Sequence, residues 1–147
     1  MTNSGSEPDL STGGPGLRIV LDTSAYSHLR RGHELVLDRV AAASVVLLPV
    51  TVLGELEAAF ALGSRGKENR LALERFLGEP FVRELPLTRA VARRYGQTFA
   101  RLRRAGSPIP VNDVWIAAST LDCGGHLLTF DAHFRRIEHL DCTVLDA

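Results

Sequence analysis

Hydrophobic residues along this chain fall into short solid runs and longer striped stretches, and the two alternate. The run Leu17–Leu21 ends at Asp22, and the run 44–50 (SVVLLPV) is apolar on both alternating faces. The segments 126–130 (HLLTF) and 142–145 (CTVL) repeat that pattern, and 81–85 is a weaker version. Runs of this kind suit strands covered on both sides, as in a parallel sheet between helices. Val91, Tyr95, Phe99 and Leu102 form one apolar stripe at helical spacing, with arginines opposite. Shorter stripes lie at 35–43 and 73–77. The stretch 111–121, with Trp115, Ile116, Ala117 and Ala118, is apolar nearly all round, so its helix is expected to be central. Strands alternating with helices predict an α/β layered fold around a mainly parallel sheet.

That architecture says where to look for chemistry, because ligands of such sheets bind beyond the carboxyl ends of the strands. Asp22 closes the first strand, Glu55 begins the helix after the second, and Asp131 follows the HLLTF strand. Asp113 sits in the first turn of the central helix. Aspartates also cap helices, and acids near helix amino ends gain about 0.3–1 kcal/mol from the dipole. Capping alone accounts for Asp113 or Asp131 singly. It accounts poorly for four acids on one sheet edge, which repel and must protonate unless a cation joins them. Hard oxygen ligands point to Mg²⁺ or Mn²⁺ rather than zinc.

His28, His33, His126, His133 and His139 form no evident zinc set. His133, close to Asp131, is expected to support the acids or to face solvent. Cys123 and Cys142 match no zinc spacing; they could pair, but they read as small buried hydrophobes. No Ser–His–Asp or Cys–His arrangement competes.

Composition adjusts this picture in three places. At 147 residues, 45% hydrophobic and 23% charged, the chain is one domain's worth. Residues 1–16 are rich in Ser, Gly and Pro and are expected to be a flexible tail, with the folded domain at 17–147. No apolar run approaches the roughly 20 residues that cross a bilayer, and no signal-peptide order opens the chain, so a cytoplasmic protein without a membrane partner is expected. Formal net charge is zero, but with the four acids set aside 17 basic residues face 13 acidic ones. Lys67 is the sole lysine. Arginine's planar fork favours bidentate phosphate contacts, although any single arginine reads first as part of a solvated helix face.

At the acids the sequence resembles the PIN-domain family, and within it the VapC-type toxins of toxin–antitoxin pairs. The motifs are Asp22-Thr23-Ser24; Thr51 four positions before Glu55; Asn112-Asp113 followed by Val114-Trp115-Ile116-Ala117-Ala118; and Thr129-Phe130-Asp131-Ala132-His133-Phe134. The resemblance spans about residues 17–147. It implies a three-layer α/β/α sandwich, a Mg²⁺- or Mn²⁺-dependent endoribonuclease cutting structured RNA (tRNA or rRNA), a cognate antitoxin, and a homodimer. On this reading Asp22 and Asp113 hold the metal directly, Asp131 directly or through water, and Glu55 orients water or acts as base. Thr23, Ser24, Thr51, Asn112 and Thr129 would orient those acids or touch phosphate. RNA is expected along the arginine-bearing helices, with Arg93, Arg94 and Arg101 as candidates.

Three other readings stay open. A housekeeping RNA-processing nuclease would share the site. A non-catalytic module would use the acids to bind a basic peptide. An Asp-nucleophile phosphatase usually wants a lysine at the phosphoryl group, whereas Lys67 lies in the polar stretch GSRGKENR.

Overall fold

The computed structural model describes residues 16–147, so all but the last residue of the expected tail lies outside the described residues. Among the described residues, five strands form one sheet: β1 (Arg18–Leu21), β2 (Val45–Pro49), β3 (Val82–Leu85), β4 (His126–Thr129) and β5 (Cys142–Val144). Every pairing is parallel, in the order β3-β2-β1-β4-β5. The strands coincide with the five apolar runs for a simple reason. Val45, Val46, Leu47 and Leu48 are all fully buried, as are Val20, Leu21, Leu127 and Leu128, so the middles of the three central strands are covered on both faces.

Six helices cover the sheet: α1 (Thr23–Arg30), α2 (Glu34–Ala42), α3 (Val50–Leu62), α4 (Gly66–Leu77), α5 (Arg89–Arg104) and α6 (Val111–Cys123). A 3-10 turn, Ala132–Arg136, precedes β5. The chain steps from β1 to β2 to β3 in one direction, then jumps back past β1 to β4. Right-handed crossovers therefore put α1–α4 on one face and α5–α6 on the other, a three-layer α/β/α sandwich. Helix α6 is the central helix expected: Val114, Ile116, Ala117, Ala118, Ser119 and Thr120 are buried. Helix α5 packs Val91, Thr98 and Leu102 inward, and Tyr95 stacks on Trp115 at a centroid distance of 4.0 Å. No described helix is long and apolar enough to cross a membrane.

Three local features differ from the pattern reading. Helix α1 follows Asp22 at once, in a stretch whose polar composition carries no helical stripe. Helix α3 begins at Val50, so the second strand stops at Pro49, whose missing N–H costs nothing at a helix start. Helix α4 begins at Gly66, so most of the polar GSRGKENR stretch is helical. Its polar side is exposed, while Leu73 is buried. Cys123 and Cys142 are both free and half-buried, and burial pushes both thiols up.

Candidate active site

The strand order reverses between β1 and β4, which run side by side although one starts and the other nearly ends the chain. Their carboxyl ends form the crevice in which doubly wound sheets hold ligands. Asp22 leaves β1 there, and Thr129-Phe130-Asp131 leaves β4.

Asp22 is 2% exposed and held on three sides. Its Oδ1 accepts from the Ala25 amide at 2.8 Å and the Ser24 hydroxyl at 2.7 Å, while Oδ2 accepts from Thr129 Oγ1 at 2.5 Å. The Ala25 bond makes Asp22 the amino-terminal cap of α1. Asp22 is therefore the acid that does cap a helix, whereas the side chain of Asp131 makes no capping bond to its 3-10 turn. Thr129 is fully buried and works twice, since its Oγ1 also accepts the Asp131 amide at 3.0 Å. Ser24 Oγ accepts the Phe130 amide at 3.0 Å, which ties the loop after β4 to the start of α1.

Helices α3 and α6 deliver the other two acids. Glu55 Oε1 accepts from Thr23 Oγ1 at 2.5 Å, and its Oε2 accepts from Asn112 Nδ2 at 3.3 Å. Asn112 adjoins Asp113, whose Oδ2 lies 2.6 Å from His133 Nε2. Asp113, Asp131 and His133 each offer a ligand atom, and these atoms lie within 4.8 Å of one another. Thr51, in the first turn of α3, is half-buried and makes no described side-chain hydrogen bond.

Electrostatics follow from this crowding. Burial raises the Asp22 carboxyl, opposed by its hydrogen bonds from Thr129, Ala25 and Ser24, and the Asp131 charge raises it further. Burial likewise raises Asp113, opposed by His133, while Asp131 and Glu55 add their repulsion. The leading influences on both acids are burial, hydrogen bonds and neighbouring carboxylates. Carboxylates that crowd one another in this way are what a divalent cation neutralises, so the donor set fits one.

The arginines separate into two places. Arg94 pairs with Asp122 at 3.6 Å, and with Arg89, Arg93 and Gln97 it lines a surface hollow of about 450 Å³. Asp122 lies nine residues along α6 from Asp113, about 13 Å in helical rise. Arg93 and Arg94 thus stand at the end of α6 remote from the acids. Arg101 is near the other end of α5, where the short connection 105–110 leads into Asn112 and Asp113. The residue that pattern reading undervalued is His133. Its signal was its place two positions after Asp131 and one before Phe134, the buried anchor of the turn.

The PIN domain family model matches residues 19–140. The chain belongs to the PIN-domain family. Its fold is also that of solved toxin–antitoxin proteins. A chain of Rickettsia felis VapBC2, bound to a DNA fragment from its promoter, superposes with a TM-score of 0.80 at 19% identity, covering 88% of this chain and 100% of that one. Neisseria gonorrhoeae FitAcB gives 0.71 at 26% identity, with 84% and 95% covered. Mycobacterium tuberculosis VapC20, a sarcin-ricin-loop-cleaving toxin, gives 0.60 at 21% identity, with 80% and 93% covered. No curated protein matches the chain in sequence.

Thr129→Val keeps the shape of a fully buried side chain but strands Asp22 Oδ2 and the Asp131 amide. It is expected to cost about 1–3 kcal/mol, read as a lower thermal midpoint. An unchanged midpoint would show that these two bonds hold nothing.

Proposed function

We propose that this PIN-domain protein is a Mg²⁺- or Mn²⁺-dependent endoribonuclease and the toxin of a toxin–antitoxin pair, acting on structured RNA such as tRNA or rRNA. The observation carrying this reading is the acidic cluster at the crevice between β1 and β4: Asp113 and Asp131 lie together with His133, the Asp131 charge also acts on Asp22, and the Glu55 charge acts on Asp113. Asp22, Asp113 and Asp131 would hold the cation. A divalent ion bound there supplies neutralising charge, polarises the phosphodiester and lowers the pKa of water.

The chain's own groups do the positioning. A carboxylate has about four lone-pair directions, and Asp22 uses three on Ser24, Ala25 and Thr129. The fourth, on Oδ2, is left for a cation. Glu55 spends two directions on Thr23 and Asn112, which fix its plane between α1 and α6. It keeps two others to orient the attacking water and take its proton. Arg101, which lines a small hollow with Leu121 and Arg136, would meet RNA phosphate that runs along α5. Arg93 and Arg94 would engage only RNA that reaches along the full helix.

The partner assignment draws on the solved relatives, which include VapBC structures and a toxin–antitoxin complex, three of the relatives named with DNA. A cognate antitoxin would cover the acidic crevice, and a homodimer is the expected assembly. A housekeeping nuclease would share the chemistry and not the toxicity. Induced expression is therefore expected to arrest growth, and co-expression of the adjacent small gene product to relieve it. Sequencing of RNA ends after brief induction should reveal one dominant cut, missing with Asp22→Asn. Normal growth with full RNA cleavage would remove the toxin role.

A further inference from the structure

We propose that His133 is a nitrogen ligand of the cation, and that it tunes this site toward Mn²⁺ over Mg²⁺. The inference rests on the metal-dependent reading above and adds a donor that the four-acid pattern does not contain.

Asp131 and His133 flank Ala132 at the start of the 3-10 turn, and the next residue, Phe134, is fully buried. That anchor fixes the turn, so the His133 ring is aimed by the fold. Its Nε2 lies 2.6 Å from Asp113 Oδ2, and the pair is largely enclosed, at 25% and 14% side-chain exposure. Neighbouring donors on a small divalent ion with bonds of 2.0–2.1 Å lie about 3 Å apart. Asp113 and His133 are already near that spacing, and an Asp131 oxygen completes a triangle within 4.8 Å.

Donor chemistry sets the consequence. Mg²⁺ keeps oxygen ligands and several waters and gains little from imidazole, whereas first-row transition ions accept nitrogen readily. Two carboxylates and one imidazole form a mixed set that rewards Mn²⁺.

Pulsed electron paramagnetic resonance on the full-length protein loaded with Mn²⁺ tests this without any activity assay. The wild type is expected to show the nitrogen modulation of a directly bound imidazole. His133→Gln should still bind Mn²⁺ but lose the modulation, and its Mn²⁺-over-Mg²⁺ affinity ratio, from competition titration, should fall about tenfold. Bound Mn²⁺ without imidazole modulation in the wild type would overturn the ligand role and leave the nuclease reading standing. Modulation that persists in His133→Gln would do the same. Failure of the wild type to bind Mn²⁺ at all would overturn both.

Discussion

Asp113→Asn is expected to leave a folded protein that no longer cuts RNA, with a loss of about 10²–10³-fold or more. Stability should move the other way in metal-free buffer. Burial raises the Asp113 carboxyl above its unfolded value of 3.8; His133 opposes this, and the charges of Asp131 and Glu55 reinforce it. The folded state thus holds this proton more tightly than the unfolded state. The stability linked to it is complete below pH 3.8 and is lost as pH rises through the folded value. At neutral pH the ionised group is a burden on the empty fold, which asparagine removes. Without divalent ions, Asp113→Asn should therefore melt at or above the wild-type midpoint. Mn²⁺ at a hundred times its Kd should stabilise the wild type by about 2.7 kcal/mol and the variant much less. A variant that melts well below wild type would mean that Asp113 is structural.

Phe134→Ala carries the largest stability cost expected anywhere near the site. Phe134 is fully buried and among the largest such side chains. It packs into the main core, while the turn it anchors has a poor hydrogen-bond pattern of its own. Removing the ring loses its transfer energy and leaves a cavity, together about 3–5 kcal/mol. The thermal midpoint should fall by on the order of 10–20 °C. Asp131 and His133 ride on the same turn, so Mn²⁺ affinity should weaken along with stability. Phe134→Leu, which refills most of the space, should recover most of both. If Phe134→Ala melts like wild type, the final motif is held by something other than its aromatic anchor.

These two residues also show what could be read before the fold was known. The acid and the phenylalanine of Thr129–Phe134 are visible as a spaced motif, and doubly buried strands announce themselves as unbroken apolar runs. The sheet order is a different matter. No local pattern says that β4 inserts beside β1, yet that pairing alone brings Asp131 to Asp22. Asp22 was readable as a strand end, but its cap on α1 was not, because α1 is short, polar and stabilised largely from its first turn. The connections from Thr23 and Asn112 to Glu55 are likewise long-range, spanning 32 and 57 positions. His133 was undervalued because its partner Asp113 is 20 residues away.

The most direct test is cleavage of a structured RNA by highly purified full-length protein, run in chelator, in chelator followed by excess Mn²⁺, and with Asp113→Asn in parallel. Cleavage that stops in chelator, returns with Mn²⁺ and is missing from the variant is the predicted result. Cleavage that ignores the chelator, or that Asp113→Asn performs as well as wild type, would contradict a carboxylate-held metal as the source of activity.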